Sequence, residues 1–585
     1  MSSRNPAPAL AALILSLAVA APAQAGLGVP GRDADPIVLT GADVPKLAGA
    51  DPGSIVAFSW DGDWIQVPVQ VDERAVVDYG VVRQIGNGFD NEAYTDPGTF
   101  AGSDPDPALD GGDEIAFMAK DAGAGASDRR SPGGVVAATR TEVAISNPLA
   151  PGAERFVYLF RTDSGLDPAA GRSYVDYDFS LDSGDYKTTY DFNGVPGVED
   201  DAPPANPEDS TVTTPAYTQH LLSRWITDRM TLSTGTSTSP DILDGDKAQV
   251  GRGCGRSELT FSRGGGGFIA NISGPVRAIR SQIGANSGTY TQRDDIYYER
   301  RQDTFTYLRV HAGIGQVSQF RDFAPAASGM TYRSSAYPTG VTIDGMPDAG
   351  IPVPAGSSTL QPQADWEQVT GQAGTLNTVT RVETDVPGFT PGSFYRDEGG
   401  SPSFGQCGGY ADYSSFGTSG SEFVSSGANT DPTLGPAYSL TAARTTFFDA
   451  PDQGAADAAR RSEEVDEPLE AVAAGAAEPG GPVLELAVRG GKRRVRAGGS
   501  IRIPFSLHNT GGSTATGVEV CARVPKRVGR AGRCKGGGEL APGRRLKGRL
   551  RIDAKRKAGR RIRVTYRANA ENAGRDRVEK AIRVR

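Results

Sequence analysis

Cysteine, histidine and long apolar runs are all scarce in this chain of 585 residues. Three His and four Cys leave little material for a His/Cys metal centre or a Cys–His nucleophile pair. The longest apolar run, Ala9 to Ala21, is about 13 residues, short of the roughly 20 that a membrane-crossing helix needs. There is no Gly-x-Ser-x-Gly elbow, His-Glu-x-x-His, Cys-x-x-Cys or dinucleotide fingerprint, which removes the common hydrolase, metalloprotease and redox signatures. The glycine run 264–267 lacks a following Lys-Ser/Thr, so it is a turn and not a phosphate cradle. What is abundant is Gly (76) and Pro (40), which excludes coiled coils and suits turn-rich β domains, about three to four of them by length.

Residues 1–25 hold one cation, Arg4, then the apolar run, then Ala23-Gln24-Ala25, the small-x-small pattern that signal peptidase reads. The expectation is a cleaved secretory signal and a secreted or extracellular protein, associated with the cell surface, with no transmembrane segment in the mature chain. An oxidising compartment makes the four cysteines disulfide candidates. They allow three pairings, of which Cys254–Cys407 with Cys521–Cys534 respects the domain boundaries.

Charge is divided unevenly. Of the 61 basic and 70 acidic residues, 29 basic and 7 acidic lie in 484–585, a net of +22 against −31 for the rest. The dense runs are 492–496, 544–547 and 555–561. Such a basic segment attracts polyanions in a salt-dependent way. Secretion makes nucleic acid a poor physiological partner, so the expected ones are anionic cell-surface polymer, acidic polysaccharide or the protein's own acidic body.

The pattern along the chain predicts an all-β fold of several β-sandwiches. Residues 26–165 read as a first sandwich. In it, runs 54–60 and 64–72 flank Asp61-Gly62 as a hairpin, with Pro68 marking an edge or bulge. Further strands are expected at 114–119, 135–146 and 156–161. Residues 166–450 carry many short β runs, including 257–261, 275–281, 296–299, 304–311, 375–382 and 439–448, in one large sandwich or two. The segment 219–230 is a rare helix candidate. Residues 451–482, poor in apolar bulk, predict a disordered acidic linker with at most a transient helix. In 483–585, Ile501, Ile503, Phe505 and Leu507 alternate with polar neighbours, and six or seven strands predict an immunoglobulin-like sandwich.

That last segment, through its alternating strand, the turn His508-Asn-Thr-Gly-Gly512, the strand around Cys521 and Leu540-Ala-Pro-Gly543, resembles the bacterial cell-adhesion-related (CARDB-like) domain. The resemblance implies a spacer or adhesive module. In the acidic body, Pro68-Val-Gln-Val-Asp72, Asp104-x-Asp106, Leu109-Asp110, Asp113-Glu-Ile-Ala-Phe117 and Gly274-Pro-Val-Arg277 are similar to β-sandwich regions of secreted polysaccharide-processing proteins. That similarity transfers no catalytic residue.

Two clusters are candidates for chemistry. Asp104, Asp106, Asp110, Asp113 and Glu114 put five carboxylates within eleven residues of a Pro/Gly loop, a donor set suited to calcium. The alternative is a solvated loop whose Asp side chains cap local N–H groups. Asp241, Asp244 and Asp246 form a lesser acidic group. The second cluster runs from Asp294 through Glu299 to Tyr307, Arg309 and His311, where carboxylate or lyase-type catalysis on a polysaccharide would find its groups. Its alternative is a strand with a wet polar face. The leading functional expectation is therefore a binding or adhesion-type protein, with a lyase or glycosidase centred in 170–450 as the second.

Overall fold

A computed structural model of the protein describes residues 27–584 apart from 80–89, 153, 183–206, 252–265, 285–290, 311–315, 349–350, 352–360, 387, 401–414, 426–437, 477–480, 489–493, 512, 542 and 557–560. The segment 1–25, the run 257–261, His311, Cys254 and Cys407 lie outside the described residues. The fold is all-β, as the alternation predicts, with a single α-helix among the described residues.

The first unit is two sheets around one apolar core. One is ordered Pro36–Thr40, Glu114–Met118, Gln70–Asp72; the other is Glu470–Gly475, Thr141–Ser146, Arg155–Arg161, Ile55–Trp60, Trp64–Val67. Val143 and Ile145 share the core with Ile37, Leu39, Ile115 and Phe117. The hairpin forms where expected, with Trp60 opposite Trp64 and Gly62 at φ +79°, a left-handed conformation that glycine adopts freely. Pro68, unable to donate to a ladder, ends one strand at Val67, and the chain re-enters the other sheet at Gln70.

Residues 266–449 contribute to one nine-stranded sheet, in the order Gly266–Ser273, Ala278–Gly284, Thr291–Tyr298, Arg301–Val310, Tyr438–Asp449, Gly374–Thr384, Glu367–Gly371, Thr331–Ser334, Tyr337–Thr342. Strands from both ends of the region are paired, which unites it. A five-stranded sheet containing Leu243–Gly251 and Gln316–Phe323, and a four-stranded one containing Tyr217–Ser223 and Ile226–Leu232, share a core with the large sheet. The helix expected over 219–230 is therefore corrected. Tyr217 and Leu221 alternate inward across a hairpin from Met230 and Leu232, and that common core outweighs local helix propensity.

The expected linker is corrected too. Ala455–Asp466 is an α-helix and Glu470–Gly475 is an edge strand of the first unit, paired with Thr141–Ser146. Ala458 packs against Trp366 and Val379 with Ala455, Ala459 and Val465 beside it, and Leu469, Ala471 and Ala473 pack on the core of the first unit. Guanidinium groups add to that packing. Buried Arg461 donates to Asp449 at 2.6 and 3.0 Å and to Glu464 at 2.7 Å. Arg32 donates to the carbonyls of Glu464 and Glu467 at 3.0 and 3.2 Å, filling acceptors that a helix end leaves open.

The last unit is a four-stranded sheet (Leu484–Val488, Ser500–Asn509, Arg545–Ala554, Gly529–Ala531) packed on a five-stranded one that includes Ala515–Arg523, Arg561–Ala570 and Ala573–Val584. Ile503, Phe505 and Leu507 are buried as predicted. Cys521 and Cys534 are bonded. Asn509 explains its turn: its side chain donates to Ser513 and Leu540 carbonyls at 2.7 and 2.8 Å and accepts from the Val483 and Gly511 amides at 3.0 Å.

Candidate functional site

Within the stretch expected to carry catalysis, the turn docks on the first unit. Thr291–Tyr298 and Arg301–Val310 form a hairpin whose turn meets the first unit: Glu299 pairs with Lys120, Arg300 with Asp33 at 2.6 Å, and Arg301 with Asp35 at 2.8 Å. Asp294 lies five residues before Glu299 in an extended strand, about 16 Å along it, well beyond the 5–10 Å that a glycosidase carboxylate pair needs. Its carboxylate accepts from Ser281 at 2.6 Å and Gln292 at 2.8 and 2.9 Å, and burial pushes it up to about 6. Tyr307, opposite Gln292, shares the face of Asp294; burial and that carboxyl push its hydroxyl up to about 12. Arg309 sits two residues further along the same strand. Among the described groups the expected carboxylate pair does not converge.

The carboxylates of the calcium expectation are occupied with local bonds. Asp104 accepts from the Asp106 amide at 2.7 Å, Asp110 from Gly112 at 2.7 Å, and Asp113 from Arg74 and Asp110 at 2.9 and 2.8 Å. These are the local caps that Pro/Gly loops call for. Glu114 points away to arginine. Among the described residues no three carboxylates bring oxygens within 4.8 Å of one another; the one acidic–sulfur group, Glu519 with Cys521 and Cys534, contains the disulfide. In the lesser group, Asp241 caps the amides of Met230 and Leu243 at 2.8 and 3.2 Å, and Asp246 serves arginines.

The structure joins two short strings that the sequence shows apart. Arg277 is buried between the units, donating to Asp72 at 2.8 Å and to Glu114 at 2.7 Å, while the Gln70 side chain accepts from the Val276 and Arg277 amides at 3.1 and 3.0 Å. A Cβ on Gly274 would lie 2.2 Å from the Gln70 amide oxygen, so a larger residue there would displace the Gln70 side chain from these bonds. Burial alone would raise Glu114, but Arg277 and Arg74 outweigh it and hold the carboxyl below its ordinary range.

Sequence reading also missed the polar interior of the large sandwich. Arg280 and Glu208 form a two-pronged pair at 2.9 and 2.5 Å. Asp246 meets Arg444 at 2.9 Å and Arg321 at 3.4 Å. Burial opposes that charge, yet Arg444, Arg321 and Arg293 bring the Asp246 carboxyl down to about 2. His220 is held between Asp209, at 2.8 Å, and Asp228. Alternating polar and apolar letters signal which residues share a strand face, but not which arginine meets which carboxylate across two sheets.

The site the sequence did mark is the basic face of the last unit. Along Arg545–Ala554, burial alternates so that Arg545, Lys547, Arg549 and Arg551 all point outward. Alternate residues on a strand are about 6.8 Å apart, so these cations form a straight row. Arg502 stands opposite Arg551, and His508 opposite Arg545. Arg551 is bonded to Asp553 at 2.7 Å; among the described residues Arg545, Lys547 and Arg549 have no acidic partner at ion-pair distance. A shallow groove of about 630 Å³ lies along the row, floored by Pro504, Ser506 and Gly548. Gly548 is needed because the Phe505 ring lies 2.6 Å from where a Cβ would stand.

No protein-family model matches the chain, and no curated protein matches it. Among solved structures, it is similar to an alpha-mannosidase from Enterococcus faecalis V583 (TM-score 0.34, 9% identity, 86% of this chain and 50% of that one). A glycosyl hydrolase family 38 protein from Enterococcus faecalis gives a TM-score of 0.33 at 10% identity, over 86% of this chain and 52% of that one. The chondroitin AC lyase of Streptomyces coelicolor A3 gives 0.18 at 10% identity, over 59% and 48%. The chain spans about half the length of each. No helix among the described residues is long and apolar enough to cross a membrane.

Proposed function

We propose that this is a secreted, surface-associated binding protein whose C-terminal CARDB-like module holds an anionic polymer. The observation that carries the reading is the outward row Arg545, Lys547, Arg549 and Arg551 beside an open groove, with three of the four cations lacking a carboxylate partner. A linear polyanion laid along the strand meets one cation about every 6.8 Å without desolvating any buried group. The attraction is long-ranged and weakens as salt shortens the Debye length from about 30 Å at 0.01 M to 10 Å at 0.1 M.

The test uses the full chain with two immobilised polymers, a polyuronate and a glycerol-phosphate polymer, titrated at 0.02 and 0.2 M salt. Wild type should bind at least one polymer, more tightly at low salt. Replacing Arg545, Lys547, Arg549 and Arg551 by Gln should weaken low-salt binding at least tenfold. Replacing Arg561, Arg563 and Arg567 on the opposite sheet should do much less. Salt-independent binding, or an unchanged affinity in the four-site variant, would overturn the assignment.

A further inference from the structure

The interior of the large sandwich contains more guanidinium than firmly ionised carboxylate. Arg293, Arg321 and Arg444 are buried around Asp246 and Asp295. Asp246 already takes Arg444 and Arg321, while Asp295 takes its hydrogen bonds from Thr304 at 2.7 Å and Gln302 at 3.3 Å. The third carboxyl, Glu367, accepts from the Tyr332 hydroxyl at 2.9 Å, and burial pushes it up to about 7. The other charged groups nearby, Arg280 and Glu208, cancel within their own pair. Tyr297 and Tyr332, raised by burial, stay neutral. With Glu367 protonated, three cations face two anions in a medium where an uncompensated charge is costly.

A cavity of about 20 Å³ opens at this place, lined by Arg321, Arg444, Gln319, Gln368, Ser421 and Glu367. That is room for one water-sized particle. The Arg444 Nε–H, on a residue 7% exposed, has no hydrogen-bond partner. A water would accept that N–H and leave the charge; a monatomic anion does both. We infer that the cavity is a binding site for a small halide, with chloride the natural occupant, held by Arg444 and Arg321 and flanked by the amide and hydroxyl donors of Gln319 and Ser421, while the Gln368 amide is committed to Asn377 and the Gly454 carbonyl. Glu367 and the halide then serve as alternative counter-ions, so the site is fullest below neutrality and empties as Glu367 ionises. This inference is independent of the polymer-binding reading, because it concerns a different unit.

The experiment uses the full chain. Crystals soaked in bromide should show an anomalous peak beside Arg444. In solution at pH 6, sodium chloride should raise Tm over sodium gluconate of equal ionic strength, by about 3 °C at ten times the dissociation constant. Glu367→Gln should extend that gain to pH 8, and Ser421→Val, which narrows the cavity without removing charge, should abolish it. A peak-free cavity that holds water only, or equal Tm in the two salts, would overturn the site. Arg444 itself is left intact, since its loss would strip Asp246 of its closest partner.

Discussion

Replacing Arg277 by Met should separate the first two units energetically. The side chains of Arg277 and Asp72 are each 1% exposed, and Glu114 is 16% exposed, so the variant leaves two carboxylates facing each other without their shared cation. Breaking a buried pair by removing one partner costs about 3–5 kcal/mol, most of it from the stranded charge. Arg74 remains on Glu114 at 3.2 Å, which places the expectation at the lower end, about 3 kcal/mol. The pH dependence follows from sign. Glu114, depressed in the folded state, contributes stability above its unfolded value of 4.5 that is lost as pH falls through the lower folded value. In the variant the stranded carboxyls are raised and are relieved by protonation, so the gap between wild type and variant should narrow as pH falls from 7 to 4. Urea unfolding midpoints measured across that range test both points. Adding Asp72→Asn to the variant should recover at least about 1 kcal/mol, as expected for residues in one network. A gap below about 1 kcal/mol at pH 7, or one that does not change with pH, refutes the reasoning.

Other outcomes are equally checkable. Glu367, raised to about 7 from 4.5, makes the fold lose stability as pH rises from about 4.5 to 7; Glu367→Gln should remove that loss, up to about 3 kcal/mol at pH 8 in urea unfolding, and a profile parallel to wild type would count against it. Reducing Cys521–Cys534, separated by 13 residues, should lower the stability of the last unit by about 3 kcal/mol, read as a shift of its own thermal transition. Trypsin should cut native protein slowly after Arg461, which is 2% exposed; rapid cleavage there would show that 455–475 is the loose linker its composition suggests.

The outward row on Arg545–Ala554 and the buried Ile503, Phe505 and Leu507 were readable because period-two alternation reports which face of a strand each residue takes. The hairpin at Asp61-Gly62 was readable because its turn chemistry is local. Three features were not readable. The helix and edge strand in 455–475 depend on Arg32, more than 400 residues away, and on pairing with Thr141–Ser146. The 219–230 hairpin is set by a core it shares with distant strands. The stretch from Asp294 to Arg301 looked catalytic because it is dense in polar groups, and the sequence did not show that Glu299, Arg300 and Arg301 meet Lys120, Asp33 and Asp35.

Local pattern alone thus determined the all-β class, the turn and edge positions and the cationic surface of the last unit, since each depends on neighbours two to a dozen residues apart, whereas it left three cysteine pairings open. Only the folded chain decided which charges meet: Arg277 with Asp72 and Glu114, and Arg444 with Asp246. A side chain's sequence position says which way it faces on its own strand. Its partner across a core is fixed by sheet order and register, and these emerge only when all the strands are packed.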